Sequence, residues 1–222
     1  MRFDLITGFP HAFDSYLNES MMKRAILKKI INIKIHDLRD FSIDAHKTID
    51  DRPYGGGPGM VLKIEPIYKC LKKVYPKKDS KTIAILFSPT GIEFDQKKAL
   101  NLSKKFKRII MVCGHYEGVD ARVEKLVDEK ISVGPYVLTG GELPALIVVD
   151  AVTRLFKGVL GNKASLDFES FLKGQKLKEY PQYTRPEIFE PKKGVKWVVP
   201  KVLLSGDHKE IAAWRHSDHA AG

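Results

Sequence analysis

Short apolar runs alternate with stretches whose apolar residues recur at helical spacing, and this alternation organises most of the chain. Residues 2–7 (RFDLIT) and 32–36 read as strands, and 19–27 as a helix that Asn18 could cap. Residues 61–75 look helical after Pro66. Residues 82–88 (TIAILFS) form a buried-type strand, which Ser88-Pro89-Thr90-Gly91 should stop. Asp95 can cap a helix over about 96–106. A second buried strand covers 108–113 and ends at Gly114. A short helix over 120–128 and a strand near 130–133 follow. Glu142 to Phe156 is the strongest helix, with Pro144 in its first turn and Gly158 just past its end.

Apolar strands alternating with helices predict an α/β fold with a mainly parallel sheet. The character changes after Gly158. Residues 1–158 form the expected main domain, 159–175 a linker of glycines, small and charged residues, and 176–222 a small second unit, mostly helical, with scattered prolines.

Composition narrows the class. Hydrophobic residues make up 43%, enough for a core and against disorder. No apolar run approaches the roughly 18 residues that span a bilayer, and the first residues carry an acid where an export signal would be basic, then apolar. The two cysteines, Cys70 and Cys113, sit in apolar runs without a partner at metal-ligand spacing and read as reduced core thiols. Together these features predict a soluble cytoplasmic protein with no membrane contact. A formal charge of +11 favours a polyanionic partner, although lysine-rich chains are common without one.

Two features carry candidate chemistry. The stretch Asp50-Asp51-Arg52-Pro53-Tyr54-Gly55-Gly56-Gly57-Pro58-Gly59-Met60 is too rich in glycine and proline for an ordinary exposed turn. It is not a phosphate-gripping loop, since no Lys-Ser/Thr follows, and not a dinucleotide fingerprint, since no apolar strand precedes it. The second feature is a set of three turns after buried strands: Ser88 to Gly91, Gly114 to Asp120, and Gly134 to Glu142. In a parallel sheet the carboxyl ends of strands gather on one edge, so these turns can share a crevice. Glycines there would let backbone groups reach a base and ribose, and Leu138 could cover a ring. Three ordinary βα turns are the bland alternative. His11, His36, His46 and His115 are dispersed, with no acid or nucleophile at a telling spacing, and read as solvated or structural.

These segments closely resemble the TrmD family, the tRNA (guanine-N1-)-methyltransferases of the SPOUT class. The likeness runs from about residue 2 to 215. It is carried by the Asp50 to Met60 string, the Ser88 turn, Gly114 to Gly118, Tyr136 to Pro144, Pro181-Gln182-Tyr183-Thr184-Arg185-Pro186 and Leu203-Leu204-Ser205-Gly206-Asp207-His208. The resemblance implies methyl transfer from S-adenosylmethionine to N1 of the guanine at position 37 of tRNA, beside the anticodon. It implies a trefoil knot built by the three turns, a homodimer whose active sites use both subunits, and a second unit that clamps the anticodon arm.

It also implies residue roles. Cofactor contacts fall on Pro89, Gly114, Glu117, Val133, Gly134, Pro135, Tyr136, Val137, Leu138, Gly140, Gly141 and Pro144. Substrate contacts fall on Asp50, Ser165 and Arg185. Arg154 should stabilise charge developing on guanine O6. The family's base is a linker aspartate just before a Ser-Phe pair; aligned on Ser170-Phe171, that position is Glu169, a departure that lengthens the carboxylate by one methylene. Asp167, two residues earlier, is the competing base. Family members also raise the question of Mg²⁺, yet no carboxylate cluster here demands a bound metal ion. Another SPOUT RNA methyltransferase, acting on a ribose 2′-oxygen or on ribosomal RNA, is the alternative reading.

Overall fold

The computed structural model describes residues 1–160 and 180–217. The chain divides into two compact units, Met1–Leu166 and Asp167–Gly222. The expected linker, 159–175, lies almost wholly outside the described residues.

The first unit is built on one parallel sheet. Its strands are β1 (Arg2–Thr7), β2 (Asn32–Asp37), β5 (Thr82–Glu93), β6 (Arg108–Val112) and β7 (Glu129–Ser132), in the order β2-β1-β6-β5-β7. Every neighbouring pair runs parallel. A minor two-stranded ladder joins β3 (Asp50–Asp51) to β4 (Val61–Leu62). The helices are α1 (Asp14–Leu17), α2 (Ser20–Leu27), α3 (Ile64–Val74), α4 (Gln96–Lys105) and α5 (Glu142–Thr153). The α/β reading with a mainly parallel sheet is therefore correct.

Side-chain alternation along the strands divides the core in two. Phe3, Leu5, Ile83, Ile85, Ile109 and Met111 point to one face, where α2, α4 and α5 contribute Ala25, Leu102, Val148 and Val149. Ile6, Ala84, Leu86, Ile110 and Val112 point to the other, against Ile67, Cys70 and Leu71 of α3. Both faces are covered, which is why these strands read as continuous apolar runs. Asp4 breaks the pattern. It is fully buried, accepts from His36 Nε2, Arg2 and Arg108, each at 2.7 Å, and so joins three adjacent strands, β2, β1 and β6.

Three expectations need correction. Asn18 does not cap α2; its side-chain amide donates to the Asp14 carbonyl at 2.7 Å and closes α1, while Glu19 precedes α2 without a side-chain cap. Helix α3 starts at Ile64, ahead of Pro66, because a proline in the first turn has no amide to lose. Ser88 to Gly91 does not stop its strand. β5 continues to Glu93, and both Phe87 and Ile92 oppose Ile131, so the four intervening residues form a bulge. Pro89 is tolerated there because a bulge needs no ladder donor. At Gly91 a Cβ would lie 2.6 Å from the Ile131 backbone, so the neighbouring chain passes where a side chain would be.

The described part of the second unit contains a hairpin that the sequence did not predict. Strands β8 (Ile188–Lys192) and β9 (Val195–Val198) form an antiparallel hairpin, turned at Gly194 with φ +83 and closed by its amide donating to Glu190 at 2.8 Å. Short helices α6 (Lys201–Leu204) and α7 (His208–His216) follow. Asp207 caps α7 by accepting from the Lys209 and Glu210 amides, and Trp214 packs near Tyr180 and Tyr183. Among its described residues, this unit is thus a hairpin followed by short helices.

Candidate active site

All five main strands point the same way, so Thr7, Val112, Phe87 and Ser132 bring their segments to one edge. There the bulge in β5 and the turns after β6 and β7 enclose a pocket of about 250 Å³. Eleven of the twelve residues expected to touch a cofactor line it: Pro89, Gly114, Glu117, Val133, Gly134, Tyr136, Val137, Leu138, Gly140, Gly141 and Pro144. Pro135 is the exception.

Glycine makes this convergence possible. The Gly141 amide donates to the Gly114 carbonyl at 2.8 Å, and His115 bridges Gly140. A Cβ on Gly141 would lie 2.7 Å from Cys113 Cα, and one on Gly140 would strike His115 and Glu142. Tyr136 curls back beneath Gly134 and donates its hydroxyl to the Val133 carbonyl at 3.0 Å. Val137, at the rim, is 86% exposed, an apolar surface that a planar ring could cover.

The Gly/Pro loop meets the same wall. The Glu117 amide donates to Met60 and the Leu62 amide to Gly118, at 3.1 and 3.0 Å. A Cβ on Gly59 would overlap the Glu117 side chain, while Gly55, Gly56 and Gly57 stand in open space with positive φ. Asp50 pairs with Leu62 in the minor ladder and does not line the pocket. Its neighbours Asp51 and Arg52 instead border a second, wider concavity, of about 890 Å³, with Lys63, Asp120 and Arg122.

Several residues of the site were not legible in the sequence. Buried Glu142 starts α5 and accepts from the Thr7 hydroxyl at 2.6 Å. His115, expected to be solvated or structural, lines the pocket, stacks on Phe9 with centroids 4.2 Å apart, and has Nδ1 3.5 Å from Glu142. The only signal was long-range: these partners come from three different turns. Burial, helped by Glu142, pushes the Cys113 thiol well above its ordinary range, so it is inert beneath the site. Cys70 is likewise buried and pushed up to about 12. The core-thiol reading of both cysteines stands.

Arg154 follows directly on α5, half-buried, its amide donating to the Asp150 carbonyl at 3.0 Å. The Tyr16 hydroxyl donates to the Asp150 carboxylate, and this bond pushes the phenol up to about 12. Ser165, Asp167 and Glu169 lie outside the described residues. Arg185 is exposed in the second unit, before a cis peptide bond to Pro186. Among the described residues, no group of three or more His, Cys, Asp or Glu side chains could hold a metal ion, and no helix is long and apolar enough to cross a membrane.

Comparison with known proteins agrees with this geometry. Residues 1–221 match the family model described as tRNA (Guanine-1)-methyltransferase TrmD. A tRNA (guanine-N(1)-)-methyltransferase of Dictyoglomus turgidum is 50% identical over 98% of this chain and 84% of its own. Those of Methylacidiphilum infernorum and Clostridioides difficile are 48% and 47% identical, over 97% and 98% of this chain and 89% and 92% of theirs. With the family model matched along nearly its whole length, the chain belongs to the TrmD family of tRNA (guanine-1)-methyltransferases.

Proposed function

We propose that this protein methylates N1 of guanine 37 in tRNA, with S-adenosylmethionine as donor. The observation that carries the reading is the pocket at the sheet's carboxyl edge, where three glycine-bearing segments meet and eleven family cofactor positions coincide. Bare backbone at Gly114, Gly140 and Gly141 suits hydrogen bonding to an adenine edge and ribose. The close approach of Gly91 to Ile131 and of Gly141 to Cys113 supports the knotted threading that the family implies.

The chemistry is a displacement at carbon. Guanine N1 forms a bond to the methyl carbon as the carbon–sulfur bond breaks, its electron pair passing to sulfur. The sulfonium leaves as a neutral thioether, so departure needs no charge stabilisation. N1 must lose its proton, and Glu169, by register with Ser170-Phe171, is the carboxylate that takes it; Asp167 is the competitor. Arg154 steadies negative charge on O6. Family members raise the matter of Mg²⁺; no step here is assigned to it.

Helix α5 supports a homodimer. It is apolar nearly all round, and Leu143 remains 54% exposed with Ile147 half-buried one turn on. Asp50 and the open Gly55 to Gly57 turn would then serve a site shared with the second copy, which accounts for Asp50 lying off the pocket. Ser165 contacts the substrate from the linker. In the second unit, Arg185 and the lysines at 192, 193 and 196 suit the phosphates of an anticodon arm. A cytoplasmic setting follows from the tRNA substrate.

The test is to incubate an unmodified tRNA transcript with the protein and labelled donor, then map the product. Label at N1 of guanine 37, and none with inosine there, is expected. Label on a ribose overturns the assignment, as does an unlabelled tRNA beside labelled ribosomal RNA when both are offered together.

A further inference from the structure

Behind the pocket runs a chain of polar groups that the transfer step does not use. The Phe9 amide donates to Thr7 Oγ at 2.8 Å, and that hydroxyl donates to Glu142 Oε1 at 2.6 Å. Thr7 is fully buried and Glu142 nearly so. The other carboxylate oxygen, Oε2, faces His115 Nδ1 at 3.5 Å, too long for a sound hydrogen bond. His115 Nδ1 is buried with no hydrogen-bond partner. The ring itself is held in place, stacked on Phe9 and edge-on to Tyr116 at 4.8 Å. Gly140 leaves no room for a side chain between carboxylate and imidazole. A buried nitrogen without a partner, 3.5 Å from an oxygen of a buried glutamate and just short of bonding to it, is costly left alone and favourable once paired.

We propose that Glu142 is a positioning residue, and that occupation of the pocket draws the His115 Nδ1–H onto its Oε2. The proposal rests on the pocket being the S-adenosylmethionine site. A ligand there displaces water from the wall that His115 lines, and a drier surrounding strengthens a charge-assisted hydrogen bond. Closing the bond fixes the imidazole, and with it Tyr116 and Glu117, the next two residues of the wall. Three segments are thereby tied together at one carboxylate: the end of β1 through Thr7, the turn after β6 through His115, and the start of α5.

The full chain, labelled with ¹⁵N-histidine, tests this by titration with S-adenosylmethionine. The His115 Nδ1 resonance is expected to move to the position of a protonated, hydrogen-bonded nitrogen on saturation. Glu142→Gln keeps a carbonyl acceptor but removes the charge, so that movement is expected to shrink and Kd for the donor to rise about tenfold, the scale of one hydrogen bond to a charged group. Should that variant not fold, His115 substitutions decide: His115→Gln, whose amide can still donate, keeps affinity within about threefold, and His115→Ala loses about tenfold. Wild-type binding with an unmoved His115 resonance, or equal affinity in the Gln and Ala variants, overturns the proposal. Failure of the wild-type protein to bind the donor overturns the reading of the pocket instead.

Discussion

The Gly141 amide donates to the Gly114 carbonyl across 2.8 Å, and this bond closes the turn after β6 against the turn that leads into α5. The contact is possible only because Gly141 carries no side chain at the crossing. In Gly141→Ala the new Cβ would lie 2.7 Å from Cys113 Cα, and backbone must move. Overpacking of this kind costs about 2 kcal/mol. Denaturant unfolding should show that loss, and calorimetry should show donor affinity reduced by about tenfold or more. A variant that matches wild type in both would mean that the two turns do not need each other.

The base assignment predicts a clean separation between binding and chemistry. Glu169→Gln should abolish most methyl transfer while leaving the donor's Kd unchanged, because a linker carboxylate acts on guanine rather than on the donor. A loss of about 10² to 10⁴ in rate is the usual scale for removing a general base. Asp167→Asn is expected to have a small effect. The reverse ranking in single-turnover assays would move the base to Asp167. Arg154→Ala should likewise slow transfer and spare donor binding.

Asp4 ties β1 to its two neighbours within the sheet, and its chemistry predicts acid sensitivity. Burial alone would raise its pKa, but hydrogen bonds from His36, Arg108 and Arg2 outweigh burial and hold the carboxyl well below the ordinary carboxylate range. A depressed native pKa means that the unfolded chain binds the proton more readily. The stabilisation is therefore complete above about pH 4, the unfolded carboxylate value, and drains away as the pH falls toward the native value. Asp4→Asn should cost about 3 kcal/mol at neutral pH, since two guanidinium groups lose their buried partner. It should also flatten the acid limb of the stability curve, measured by denaturant titration at several pH values.

Both cysteines should resist thiol reagents in the folded protein. Burial raises Cys70 and Cys113 alike, so little thiolate exists at pH 8 and neither sulfur is accessible. Titration with a chromogenic disulfide should find two reactive thiols only after unfolding. Rapid native labelling of Cys113 would show that the core beside Gly114 opens.

What could be read in the sequence followed the range of the interactions. Period-two and period-3.6 patterns are local, so β1, β6, α4 with its Asp95 cap, and α5 were all visible. The Ser88 to Gly91 segment was misread because glycine and proline mark a bulge as readily as a strand end, and only pairing with Ile131 tells them apart. The β8–β9 hairpin hid behind Pro191 and a run of lysines that look like loop. The glycine-bearing turns could be located, but their convergence depended on the strands being parallel. The Thr7–Glu142–His115 group was invisible, since its members are joined only by the fold. Roles for Glu169, Asp167 and Ser165 came from family resemblance alone.

The central claim is that the crevice between the β5 bulge and the turns after β6 and β7 holds the methyl donor. A crystal of the protein grown with S-adenosylmethionine tests it most directly. The account predicts the adenine against Leu138 and Val137, with backbone groups of Gly114, Gly140 or Gly141 at hydrogen-bond distance. Donor density elsewhere, or an unchanged empty pocket at saturating concentration, would contradict it.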